Sequence, residues 1–77
     1  MDKATPLHFA ILKDKYENIR TLLKHGAKTN VQDANGNTPM HYAVMKQSLP
    51  MVRLLDEYNA DARIKNDAEL SSIDLTV

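Results

Sequence analysis

The segment Thr5-Pro6-Leu7-His8-Phe9-Ala10 returns as Thr38-Pro39-Met40-His41-Tyr42-Ala43, at an offset of 33 residues. Laying residues 5–37 over 38–70 gives eight identities: Thr5/Thr38, Pro6/Pro39, His8/His41, Ala10/Ala43, Lys13/Lys46, Arg20/Arg53, Leu22/Leu55 and Ala27/Ala60. Apolar character is kept at Leu7/Met40, Phe9/Tyr42, Ile11/Val44, Leu12/Met45, Ile19/Val52 and Val31/Ile64. A further 33 residues on, Ser71-Ser72-Ile73-Asp74-Leu75-Thr76 is a faded third copy. Units of this length cannot bury an apolar face alone, so the period points to a stack of repeats.

Each unit reads as two helices. Thr5 and Thr38 are good N-caps, because a hydroxyl can accept from an orphan backbone N–H. Pro6 and Pro39 then occupy the first helical position, where a missing donor costs nothing. Leu7, Ala10 and Ile11, like Met40, Ala43 and Val44, fall on one helical face. The small Ala10 and Ala43 let neighbouring helices approach closely. Lys13-Asp14-Lys15 and Lys46-Gln47-Ser48 are polar turns. A second helix follows in each unit, with Ile19, Leu22 and Leu23 as the buried stripe of the first. Pro50 is tolerated only in the first turn and so fixes a helix start. The pattern predicts helices near 6–12, 16–24, 39–45 and 50–58, and a short one from about residue 72. Gly26, and Asn59 one period later, suit a left-handed C-terminal position. Asn35-Gly36 signals a tight turn, and Glu69 replaces Gly36 one period later, which leaves that turn's geometry open.

The period, the T-P-x-H-x-A motif, Asp33-x-x-Gly36, Leu22-Leu23 and Gly26-Ala27 together make the chain resemble the ankyrin-repeat family over nearly its whole length. The resemblance implies an all-α solenoid of two full helix-turn-helix repeats plus a partial third, joined by hairpin-like loops. Residues 1–77 would form one domain, with repeats about 5–37 and 38–70 and a partial repeat 71–77. Family members often carry Gly in the turn between the two helices; Asp14 and Gln47 stand there here.

Polar substitutions mark the ends of the stack. Asn18 and Thr21 stand where the second repeat has Met51 and Leu54, as a terminal face without a neighbour requires. At the other end Asp56 replaces Leu23, and Ser71, Ser72, Asp74 and Thr76 replace the motif. Either the chain has been cut short or its last repeat is half a unit. About three repeats are usually needed for a stable stack, so self-association would supplement this one.

Ten basic residues balance ten acidic ones. That balance argues against nucleic acid or a membrane surface as partner. No cysteine is present, which fits a reducing cytoplasmic or nuclear setting. No apolar run approaches a membrane span, and the N-terminal run is too short and too charged for a signal peptide.

The residue pattern offers no catalytic, cofactor-binding or metal site. His8 and His41 share one repeat position, and the expected role is to tie the helix to the adjacent loop; neither they nor His25 sit in a zinc-type cluster. Ser48, Ser71 and Ser72 lie outside any GxSxG motif. Gly26 and Gly36 alone cannot build a phosphate-cradling loop. The aspartates read as turn or surface residues, and Tyr16, Tyr42 and Tyr58 as half-buried packing residues.

What remains is a non-catalytic module for binding another protein, with a structural spacer or regulatory segment of a larger protein as the alternative. The resemblance implies contact through loop tips and the exposed side of the first helices. The loop candidates are Gln32, Ala34, Asn35 and Asn37, then Lys65, Asp67 and Ala68 one repeat later. The helix candidates are Leu12 and Lys13, then Met45 and Lys46. An apolar pair rimmed by lysines suits an acidic partner segment with an apolar anchor. A spacer would instead lack an exposed apolar patch on this face.

Overall fold

The computed structural model describes residues 5–75. Thr76 and Val77 of the third copy lie outside the described residues. The elements are α1 (Pro6–Leu12), α2 (Tyr16–Lys24), α3 (Pro39–Met45), α4 (Leu49–Glu57) and α5 (Ser72–Leu75), and no strand occurs among the described residues. Helices this short do not persist alone in water, so tertiary packing holds them. Within a repeat α1 packs on α2 and α3 on α4; between repeats α1 packs on α3, α2 on α4 and α3 on α5.

Local chemistry sets each start. Thr5 and Thr38 have extended backbones and accept through their side chains from the backbone N–H of His8 and His41. The imidazole Nδ1 of each histidine accepts in return from the threonine N–H, at 3.1 and 2.9 Å. This is a capping box with histidine in the place usually taken by glutamate. The third copy repeats it with other residues: the Ser71 N–H donates to Asp74 Oδ2 at 2.9 Å, and the Asp74 N–H donates to Ser71 Oγ at 3.3 Å. α4 begins at Leu49, one residue before the expected Pro50, with no side-chain cap from Ser48.

Asp14 and Gln47 take positive φ values of 58° and 57° where glycine would be free of strain. Glu69 holds φ 66° against 79° at Gly36, so the loop after the second repeat keeps the turn of the loop after the first. The Gly36 N–H donates to the Asp33 carbonyl and the Asp33 N–H to the Asn37 carbonyl; Glu69 to Asn66 and Asn66 to Leu70 repeat the pattern, all at 2.9 Å. The hairpin-like loops therefore close by paired backbone bonds without forming strands.

Leu7, Ile11, Ile19 and Leu23 of the first repeat pack with Met40, Ala43, Met51, Leu54 and Leu55 of the second in one core. Leu22 departs from its expected place. It is half-buried at the edge of the core, whereas its counterpart Leu55 is fully buried. Leu55 shares the core with Leu7, Ile11, Ile19 and Leu23 of α1 and α2, and no described repeat covers Leu22.

Candidate functional site

The loops and the starts of the first helices are built around the two histidines. His8 Nδ1 is an acceptor, so the ring's proton sits on Nε2, which donates to the Asn37 carbonyl at 2.9 Å. His41 Nε2 donates to the Leu70 carbonyl at 2.8 Å. Each imidazole, fully buried, thus links its own helix start to the following loop, as expected of a structural histidine. Asp74 accepts at the third copy's cap but has no ring to reach onward.

Asp33 organises the first loop. Its Oδ1 accepts from the N–H groups of Asn35 and Asn37 at 2.9 and 3.0 Å, and its Oδ2 accepts from the Tyr42 hydroxyl. Partial burial raises the Asp33 pKa, but the bonds from Tyr42, Asn37 and Asn35, with the nearby His8, outweigh it and hold the carboxyl below its ordinary value. Tyr42 also packs edge-on against His8, with ring centroids 5.8 Å apart. Tyr42 is therefore a polar anchor as well as a packing residue, and Asp33 a loop organiser.

The loop candidates divide into two groups. Gln32 Nε2 donates to the carbonyls of Gly36 and Lys65, at 2.9 and 2.8 Å, and so bridges consecutive loops. Asn37 Nδ2 donates to the Tyr42 hydroxyl, while its Oδ1 accepts from Asn66 Nδ2 at 2.9 Å. These side chains spend their hydrogen bonds inside the molecule. Ala34, Asn35, Lys65, Asp67 and Ala68 have exposed side chains at the loop tips. The loops also touch through backbone: the Asp67 N–H donates to the Asn35 carbonyl at 3.0 Å. A Cβ on Gly36 would lie 2.6 Å from Asp67 Oδ1 and 2.7 Å from its backbone nitrogen. Close approach, in addition to the turn, requires glycine there.

Leu12 and Met45 end α1 and α3 and are 44% and 48% exposed. Lys46 Nζ reaches across the repeats, donating to the Leu12 carbonyl at 3.3 Å and pairing with Asp14 at 3.5 Å. That reach puts the ends of α1 and α3 side by side. Lys13 is exposed and forms no ion pair among the described residues. Phe9 and Leu49, absent from the candidates above, are exposed apolar residues as well, and Tyr16, expected to be half-buried, is exposed too. Phe9 lies outside the Leu7/Ala10/Ile11 stripe, and that phase was the available signal.

Among the described residues, no group of three or more His, Cys, Asp or Glu is placed to hold a metal ion, and no helix is long and apolar enough to cross a membrane.

A family model described as Ankyrin repeats (3 copies) matches residues 1–66. No curated protein sequence matches the chain significantly. Among solved structures, the chain is similar to the ankyrin repeat domain of Bcl-3, a unique member of the IkappaB protein family. The TM-score is 0.93 and the identity 30%, over 96% of this chain and 32% of that one. The chain therefore spans about a third of the length of that structure.

Proposed function

The chain belongs to the ankyrin-repeat family, and on that premise we propose that it is a non-catalytic module binding another protein through its loop tips and the exposed ends of its first helices. Ankyrin repeats generally serve as protein-interaction scaffolds. We take residues 1–77 as one domain, with repeats about 5–37 and 38–70 and a partial 71–77, working in the cytoplasm or nucleus. The observation that carries the reading is the adjacent, exposed pair Leu12 and Met45 beside Lys13 and Lys46. Leaving two large apolar side chains in water is unfavourable by about 1 kcal/mol or more each, and a partner that desolvates them recovers that free energy. The exposed Asn35, Lys65 and Asp67 offer a polar rim, with the small Ala34 and Ala68 beside them. A spacer needs no such pair, so the same observation weighs against that alternative.

The test is capture of a partner by the wild-type chain, followed by titration of the purified partner with the Leu12→Ser/Met45→Ser variant. Affinity is expected to fall by at least about tenfold while the far-ultraviolet circular dichroism stays helical. Undiminished affinity in the folded variant would move the interface elsewhere, first to the second-helix face around Arg20 and Arg53.

A further inference from the structure

The end of the stack formed by α1 and α2 carries an open groove of about 690 Å³. Its apolar surface comes from Pro6, Phe9, Ala10 and Leu22. A smaller apolar cleft shares Thr5, Pro6 and Leu22 with it and continues it toward Lys28 and Val31. Lys13, Lys15 and Lys28 rim the two, and among the described residues no carboxylate lines either. None of these lysines forms an ion pair among the described residues.

The second repeat shows what such a face receives. The counterparts of Pro6, Ala10 and Leu22 are Pro39, Ala43 and Leu55, and all three are buried where α1 and α2 pack on α3 and α4. A helix is thus the element this surface is shaped for. The α2 side of the groove is different. Asn18 and Thr21 are exposed where Met51 and Leu54 are buried, and the Thr21 hydroxyl is already spent on the Glu17 carbonyl at 2.9 Å. The apolar stripe runs along α1, with Leu22 the apolar residue α2 adds to it, which fits one helix rather than a packed pair.

We propose that this groove docks a single amphipathic helix of another protein, whose apolar stripe covers Phe9, Pro6 and Leu22 and whose acidic flanks meet Lys13, Lys15 and Lys28. Charge complementarity selects the sign, because every charged residue lining the two clefts is a lysine. A second copy docked through this same surface would set lysines against lysines. The site lies at the α1/α2 face of the described stack and shares only Lys13 with the loop-tip and Leu12/Met45 surface.

The probe is a synthetic amphipathic peptide of about 18 residues with leucines at i, i+3, i+4 and i+7 and glutamates on both flanks. A second peptide carries lysines in place of the glutamates. Each is titrated into the isotope-labelled chain at low salt and followed by nuclear magnetic resonance. The acidic peptide is expected to shift the amides of Phe9, Asn18 and Leu22 saturably and to bind at least about tenfold tighter than the basic one. In the Lys15→Glu/Lys28→Glu variant, both changes being at exposed positions, that preference reverses. The proposal is overturned by equal affinity for the two peptides, by no saturable shift at these amides, by shifts centred on Leu12 and Met45, or by peptide-independent shifts that grow with protein concentration and so mark a second copy.

Discussion

Leu22 and Leu55 occupy the same place in successive repeats, and their surroundings differ by one layer of helices. Leu55 is fully buried in the core shared by the two repeats, while Leu22 borders an open groove. The same division runs through the neighbouring positions. Met51 and Leu54 are buried and their counterparts Asn18 and Thr21 exposed. At the opposite side of the stack the order inverts: Leu23 is buried against the second repeat, and its counterpart Asp56 is exposed. The two repeats share their caps and their turns. A repeat's motif fixes its backbone, and its position in the stack fixes which of its faces must be apolar.

The sharpest way to break this comparison is to truncate both leucines. Leu55→Ala should cost about 2–5 kcal/mol, enough to unfold much of so small a domain. Leu22→Ala removes the same atoms from a half-wet site and should cost about 1–2 kcal/mol. Urea denaturation of the two variants measures the difference, and equal losses would mean that the two sites are covered alike.

The glycines give a second contrast. Gly26 and Gly36 both have positive φ, but a Cβ on Gly26 meets nothing within 4 Å and one on Gly36 meets the next loop. Gly26→Ala should therefore cost about 1 kcal/mol, from backbone strain alone. Gly36→Ala adds the collision with Asp67 and should cost up to about 3 kcal/mol. Thermal unfolding ranks the pair. Glu69, at the last described loop, carries its side chain at nearly the same φ, which marks the neighbouring loop as the source of the larger loss.

A smaller effect separates the two loops by pH. Asp33 lies in the first loop, and Asn66 takes its place in the second. The Asp33 pKa is held below its ordinary 3.8 in the folded chain. Its contribution is therefore fully present above that ordinary value and is lost as pH falls through the lower folded one. For a carboxylate only partly withdrawn from solvent the amount is at most about 1 kcal/mol. Asp33→Asn should flatten the stability profile below about pH 4 relative to wild type. An unchanged profile would remove Asp33 from the loop's electrostatics.

Much of this arrangement could be read along the chain because it is local. Threonine, proline and histidine act within one helical turn, so their recurrence placed α1 and α3. The swap of Asn18 and Thr21 for Met51 and Leu54 marked the open end. What escaped the sequence depends on pairs of repeats. Gln32 looked like a free loop residue until the second loop supplied the Lys65 carbonyl. Leu22 read as core because its helical phase is right, and phase says nothing about whether another layer lies above. Gly36 carried a turn signal, but the reason alanine cannot replace it comes from Asp67, 31 residues further along. The loop-tip and first-helix surface was legible as exposure at Leu12 and Met45, whereas Phe9 and the groove beside it needed the stacked helices to define them.

The difference in cover between the repeats is directly measurable by methyl nuclear magnetic resonance of leucine-labelled protein with a soluble paramagnetic agent. The Leu22 methyls should relax strongly and the Leu55 methyls scarcely at all. Equal protection of the two would contradict an open first-repeat face, and with it the account of how stack position divides two otherwise matching repeats.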